Sequence, residues 1–339
     1  MPLRLPRLST PVRRQLRRLA LLLGLLLAVL LADYALYRLL APVGGRPLDR
    51  GENGLWLRYH WYFGRKTDAE VRDLARRLRD DRIRDAFFHV RHARNDGSLA
   101  YRYPEEARRL LQVLRREAPG VRAVAWVYAG NERGAAWLSN VNLQDPAVRR
   151  RMVEEARWLV TDCGFDGVQW DYEICPDGDA GFLELLDETH AALPPGKLLS
   201  VATPIWLPDP LPRRWGWSDR YFSEVARRTD QMAVMGYDTA MYLPRAYVAL
   251  MRAQAVHVTR AVRAGNPECR VLIGVPTYGA GPPSHHAWSE NLSMALKGVR
   301  EGLADPRAAP EVFAGVAPFA DYTTQPDEWA EYRRLWLGR

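Results

Sequence analysis

Phe165-Asp166-Gly167-Val168-Gln169-Trp170-Asp171-Tyr172-Glu173 reads as a β-strand that carries two carboxylates to its C-terminal tip. Side chains on a strand alternate faces with a period of two. Gln169, Asp171 and Glu173 therefore share one face, while Val168, Trp170 and Tyr172 take the other and suit packing against helices. Acids on a buried strand need partners or a task, because an unpaired buried carboxylate is costly. Cys175-Pro176-Asp177-Gly178 is turn chemistry, so the chain opens into a loop just beyond Glu173.

Outward from this stretch, strand-like and helix-like segments alternate eight times. Strands are predicted at Leu55–Tyr62, Ile83–Arg91, Val121–Tyr128, Phe165–Glu173, Leu198–Ile205, Gln231–Tyr237, Val271–Thr277 and Glu311–Phe319. Each is followed by a helical pattern, the first opening on a capping box formed by Thr67 and Glu70, the third on Asp145 before Pro146. Eight βα units built on apolar, β-branched strands predict an α/β fold, a (β/α)8 TIM barrel over residues 54–339. A doubly wound open sheet is disfavoured by the strand count and by the lack of a glycine-rich first turn. At 339 residues the chain is long enough for one such barrel.

The N-terminus is of another character. Residues 1–18 hold six of the 48 basic residues and no acid, forming a basic cytoplasmic segment. Residues 19–41 are apolar and predict one N-terminal transmembrane helix. Its unbroken apolar part, Leu19–Ala32, is 14 residues. The arginines before it place the N-terminus in the cytoplasm and the barrel outside. A signal anchor in the cell membrane is the preferred reading, and a secreted protein after signal cleavage the alternative. Residues 42–53 read as a linker. The formal charge of +8 owes most of its excess to the leading arginines, which argues against a nucleic-acid partner. Cys163, Cys175 and Cys269 fall at separated places in the barrel, so none is expected to pair, and no Cys/His spacing suggests a metal or other cofactor.

Active sites of these barrels lie at the C-terminal ends of the strands. Polar and aromatic residues gather at those tips: Tyr62, His89, Tyr128, Trp206, Tyr237 with Asp238, Tyr278 and Phe319, around Gln169, Asp171 and Glu173. An aromatic rim with a few acids suits sugar rings, whose apolar faces stack while their hydroxyls bond polar groups.

The fourth strand resembles the signature of glycoside hydrolase family 18, the chitinase-like hydrolases, whose pattern is Asp-Gly-x-Asp-x-Asp-x-Glu. Asp166, Asp171 and Glu173 match, and Gln169 stands at the remaining acid. Met235-Gly236-Tyr237-Asp238 is similar to the family's Met-x-Tyr-Asp, and Gly274-Val275-Pro276-Thr277-Tyr278-Gly279 to its Gly-x-Pro-x-Tyr-Gly. The third-strand Ser-x-Gly-Gly pattern is absent, and Phe319 replaces the usual tryptophan. The resemblance implies a retaining, substrate-assisted glycosidase acting on β-linked N-acetylhexosamine polysaccharide. It gives Glu173 the proton-donor role, Asp171 the orientation of the acetamide and Tyr237 a supporting hydrogen bond. Gln169, Asp238, Tyr62, His89, Tyr128, Trp206, Tyr278 and Phe319 become the expected substrate-binding set. With Gln169 bonded to Asp171 but unable to take its proton, an altered pH dependence is expected. Two other readings stay open: a non-catalytic carbohydrate-binding barrel, and a glycosidase of another sugar specificity using Asp238 or Asp321.

Overall fold

The computed structural model describes residues 10–40, 42–44, 47–134, 136–211 and 213–339. Eight parallel strands form one sheet: β1 Asn53–Leu57, β2 Ile83–His92, β3 Arg122–Gly130, β4 Gly167–Glu173, β5 Leu198–Thr203, β6 Gln231–Val234, β7 Arg270–Pro276 and β8 Phe313–Phe319. Each is hydrogen-bonded to the next in chain order. The seam between β8 and β1 is closed in part by a side chain. Asn53 Oδ1 accepts from Val316 N at 3.1 Å and from Trp336 Nε1 at 2.8 Å, and Asp321 N donates to Trp56 O at 3.0 Å. Gly315 permits this approach, since a Cβ there would lie 2.5 Å from Asn53 Oδ1. The result is the expected barrel alternating with helices.

Helix α1 is Thr10–Leu40, and the barrel helices are α2 Asp68–Asp80, α3 Pro104–Glu117, α4 Pro146–Thr161, α5 Ala180–Ala192, α6 Asp219–Ala226, α7 Pro244–Gly265, α8 Leu292–Leu303 and α9 Pro326–Tyr332. The local signals act as read. Thr67 and Glu70 form the capping box of α2, and Asp145 accepts from Ala147 N at the start of α4. On α2 the buried residues Val71, Leu74, Ala75 and Leu78 recur at i, i+3, i+4 and i+7, the stripe a helix lays against a sheet.

Period-two alternation on β4 sorts its side chains as expected. Trp170 points outward, with Nε1 3.2 Å from Thr189 Oγ1 on α5, and Tyr172 stacks on Phe182. Gln169, Asp171 and Glu173 point inward. The barrel interior is filled mainly by Trp56, Phe87, Val124, Trp126, Leu198 and Leu272 with alanines between them. One polar chain crosses this interior. Trp56 Nε1 donates to Gln169 Oε1 at 2.9 Å, Gln169 Nε2 to Ser200 Oγ at 3.0 Å, and Ser200 Oγ to Gln231 Oε1 at 2.9 Å. Gln231 Nε2 then donates to Asp85 Oδ2 at 2.7 Å, and Asp85 is gripped bidentately by Arg122. Every member has a partner, which is the condition for a buried polar chain to be tolerated.

Two strands end three or more residues before their patterns predict. β1 ends at Leu57, and residues 59–64 turn back on themselves, with Phe63 N bonding Tyr59 O at 3.0 Å. β6 ends at Val234, and Gly236 begins a loop. Helix α1 has no buried residue and is long and apolar enough to cross a membrane. At 1.5 Å per residue it is roughly 46 Å long. Its last two turns dock on the barrel: Arg245 at the start of α7 bonds Asp33 at 2.7 Å, and Trp288 Nε1 donates to Tyr34 O at 2.7 Å. Both partners stand at the end of the barrel where the strands point. The three cysteines are buried and free.

Candidate active site

The β3–β4 ladder sets Trp126 opposite Gln169 and Tyr128 opposite Asp171. From its place beside β4, Trp126 donates Nε1–H to Asp171 Oδ2 at 2.8 Å. Asp171 is buried, at 3% exposure, and its other oxygen has no hydrogen-bond partner among the described residues. Glu173 stands beside it on the same strand face, close enough that the two carboxyls act on each other's proton affinity. Two carboxyls so placed cannot both ionise cheaply, so the pair holds a proton. Burial pushes both upward. Glu173 rises well above the usual carboxylate range, because the adjacent Asp171 charge adds to its desolvation. Asp171 rises less, held down by the Trp126 indole. The proton therefore resides on Glu173.

Tyr237 and Phe319 close the other side of the cleft. Their rings stack at 4.4 Å, and Phe319 meets Trp56 and Trp126 edge-on. Burial, and after it the Asp171 charge, keeps the Tyr237 phenol protonated far above its ordinary range. Tyr278 donates its hydroxyl to Asp238 Oδ1 at 2.7 Å, while burial pushes the Asp238 carboxyl upward. Asp238 and Ala240 take the left-handed conformation, with φ of 56° and 58°. Backbone strain of this kind persists where surroundings over-determine it. Here the surroundings are Glu290, which is fully buried and accepts from Thr239 N, Thr239 Oγ1 and Met241 N at 2.8–3.1 Å. His285 sits between them, 3.8 Å from Asp238 and 3.7 Å from Glu290.

Most of the expected residues come together here: Asp171, Glu173, Tyr237, Asp238, Tyr278, Phe319, and also His89 and Tyr128. His89 stacks on Trp126 at 4.1 Å, and its Nε2 is buried without a partner among the described residues. Burial, then the Arg91 charge, lowers its pKa to about 3, so it is a neutral ring. Tyr128 is half-buried beside Asp171 in the ladder.

Three expected binding residues lie elsewhere. Tyr62 is fully buried in the layer between sheet and helices, bonded to the backbone of Tyr101 and Tyr103, because β1 ends five residues before it. Trp206 stacks on His257 of α7 at 3.6 Å, outside the barrel. Gln169 has no exposed surface and bonds Trp56 and Ser200, with no hydrogen bond to Asp171. The expectation that Gln169 tunes Asp171 by bonding it is thereby corrected: its amide spans the layer below. Asp321 is a clamp, accepting from Trp61 Nε1 at 3.0 Å and Arg58 N at 3.3 Å. Sequence places Trp126 at the tip of the third strand without a role, and leaves Glu290 and His285 unmarked. The ladder neighbour of the signature strand could have pointed to Trp126. Nothing in the pattern marks the two loop residues. Among the described residues, no three His, Cys, Asp or Glu side chains are grouped to hold a metal ion.

Neither a protein-family model nor a curated protein matches the sequence. Solved structures do match the fold. The Bacillus cereus spore cortex-lytic enzyme SleL aligns over 87% of this chain and 74% of its own, at 12% identity and a TM-score of 0.57. The C-terminal domain of a putative chitinase from Desulfitobacterium hafniense aligns over 86% and 99%, at 15% identity and a TM-score of 0.58. A glycoside hydrolase family 18 chitinase from Cycas revoluta, solved in complex with (GlcNAc)4, aligns over 84% and 98%, at 14% identity and a TM-score of 0.52. At these identities the likeness is one of fold: the chain is a TIM barrel similar in fold to these glycoside hydrolase family 18 and cortex-lytic enzyme structures.

Proposed function

We propose that this barrel is a glycoside hydrolase that cleaves β-linked N-acetylhexosamine polymers with retention, using the substrate's own acetamide as nucleophile. The observation that carries this is the placement of Asp171 and Glu173 side by side on one face of one strand, each acting on the other's proton affinity. An acid and an opposing nucleophile or water-activating base stand about 5–5.5 Å or 6.5–9.5 Å apart across the sugar. Two carboxyls that share a proton sit on the same side of the scissile bond, and the attack must come from elsewhere. In the proposed reaction protonated Glu173 gives its proton to the glycosidic oxygen as the C–O bond breaks. The acetamide oxygen forms the new bond to the anomeric carbon, and Asp171 accepts the acetamide N–H. Tyr237 donates its hydroxyl to the acetamide oxygen. Glu173, now ionised, deprotonates the water that opens the cyclic intermediate. The raised proton affinity of Glu173 suits an acid that must be loaded near neutrality. The cleft floor of Phe319 and Tyr237 supplies the apolar face for the ring. With α1 in the membrane and the leading arginines inside, the barrel works on the outer side.

The test uses the full chain in detergent with aryl β-N-acetylglucosaminides and aryl β-glucosides. Turnover confined to acetamido sugars and abolished in Glu173→Gln is the expected result. Turnover of plain glucosides would move the nucleophile to the protein, and oligosaccharide binding without turnover would leave a binding barrel.

A further inference from the structure

Arginine dominates the basic residues of this chain, and on the helices and their connections its charge is largely spent within the fold: Arg109 pairs with Asp68, Arg149 with Glu184 and Glu188, Arg228 with Asp187, and Arg252 with Asp305. Some arginines stand apart: on the helices and their ends Arg77, Arg150, Arg157 and Arg227 make no ion pair among the described residues, and a further group lies in the loops at the strand tips. Among the described residues Arg58, Arg91, Arg133 and Arg214 make no ion pair, and three of these four are exposed. Three of the four lie on aromatic faces instead: Arg58 and Arg91 over Tyr59 at 5.6 and 4.8 Å, and Arg214 over Trp215 at 5.1 Å.

These arginines flank the cleft on two sides. Arg58 and Arg91 connect to it through touching rings, since Tyr59 meets His89 at 6.3 Å, and His89 stacks on the Trp126 that holds Asp171. Arg133 stands on a loop fastened to the end of β4: Asn131 N donates to Glu173 O at 3.1 Å and Asn131 Nδ2 to Ile174 O at 3.0 Å. Beside it an open groove of about 560 Å³ is lined by Arg133, Pro176, Asp177, Arg213 and Arg214. Trp137 and Trp215, 87% and 55% exposed, stand on the same two loops.

The acids of this rim bond to groups other than these four arginines. Asp177 accepts from Ser218 N and Oγ, Asp209 holds Arg213, Asp238 accepts from Tyr278 and Asp321 from Trp61. Glu132 is the exposed acid beside Arg133. Burial first, and then Arg58 or Arg91, lowers the pKa of His60, His89 and His92.

We infer that the polymer drawn across this cleft is acidic, an acetamido-sugar chain bearing carboxylates on either side of the scissile bond. A guanidinium fork matches a carboxylate in two parallel hydrogen bonds, and an arginine already resting on a ring keeps its charge while its orientation is set. Exposed tryptophans between the arginines stack the sugar rings. A neutral chitin-type chain would leave four cations without partners. The inference rests on the proposed hydrolysis for its acetamide component, whereas the carboxylate component is read from the rim.

The experiment compares peptidoglycan sacculi with the same sacculi after carbodiimide amidation of their carboxyls, using the full chain in detergent. Release of reducing ends and co-sedimentation are both read. The expected result is faster hydrolysis and tighter binding of untreated sacculi, a preference that shrinks as ionic strength rises. The pairs Arg133→Gln/Arg214→Gln and Arg58→Gln/Arg91→Gln each reduce that preference by about three- to tenfold, and the corresponding lysine pairs retain most of it. Equal hydrolysis and equal binding of both materials would overturn the inference and leave the glycosidase reading standing. Preferential binding of untreated sacculi with no reducing ends released would uphold the acidic ligand and defeat the hydrolysis. Glutamine pairs that lose only their association with anionic phospholipid vesicles, with the sacculus preference unmoved, would assign the arginines to the membrane surface and overturn the inference.

Discussion

Replacing Trp126 by phenylalanine removes the indole N–H and part of the ring volume, and leaves an apolar ring in its place. The phenyl ring still fills the inner barrel beside Phe87 and Val124, but the 2.8 Å bond to Asp171 Oδ2 is lost. A hydrogen bond to a charged group contributes about 1.5–3 kcal/mol. At 1.36 kcal/mol per pH unit, this raises the proton affinity of the Asp171–Glu173 pair by about one to two units. The sign follows from which form the indole serves. It donates to ionised Asp171, so its loss favours the protonated form and the pair takes up its second proton at higher pH. The doubly protonated pair retains its acid but has lost the carboxylate that orients the acetamide. The acid limb of the pH–rate profile on an aryl β-N-acetylglucosaminide moves upward by about one to two units, while the basic limb, set by loss of the Glu173 proton, moves in the same direction or stays. Unfolding in urea gives a second reading. The variant is less stable than the parent at neutral and higher pH, where Asp171 is ionised, and the difference narrows in acid as Asp171 becomes protonated. An unmoved acid limb, or a stability loss equal at both ends of the pH range, would show that Trp126 acts by packing alone and would refute the electrostatic account.

Further outcomes follow from the same geometry. Glu173→Gln abolishes turnover and stabilises the fold; because the folded pKa of Glu173 is raised, its cost is absent below the unfolded carboxylate pKa and grows as pH rises through the folded value, so thermal unfolding shows a gain that increases with pH. Gln169→Leu strands Trp56 Nε1 and breaks the polar chain at Ser200, costing about 2–5 kcal/mol in urea unfolding, and the acid limb stays in place because Gln169 does not bond Asp171. Gly315→Ala drives a methyl group against Asn53 at the seam, with an expected loss of about 1–3 kcal/mol in the same assay; an unaffected midpoint would show that the seam has slack.

Much of this molecule is decided within a few residues of chain. Alternation on Gly167–Glu173 puts Gln169, Asp171 and Glu173 on one face whatever surrounds them, because the strand period is two. The capping box at Thr67, the caps at Asp145 and Asp179, and the apolar stripe of α2 act equally locally. Eight repetitions of strand and helix then leave the barrel as the compact way to bury them. The long apolar run of α1 is likewise evident by inspection.

The partners of the inward-facing groups are a different matter. Trp56 and Gln169 are 113 residues apart, and Trp126 and Asp171 are 45 apart. Their meeting depends on strand register and on closure of the barrel, which no local pattern encodes. Strand alternation alone pairs Gln169 with Asp171, its neighbour on the strand face, whereas the amide bonds across the interior to Trp56 and Ser200. The same reason explains Tyr62 and Trp206: the point at which a strand ends fixes which residues reach its tip, and β1 stops at Leu57. Which arginines are neutralised is also a tertiary outcome: Arg109, Arg149, Arg228 and Arg252 meet acids on neighbouring elements, while Arg58, Arg91 and Arg214 rest on aromatic rings. Local periodicity determined which side chains enter the barrel, and three-dimensional register determined what each of them meets there.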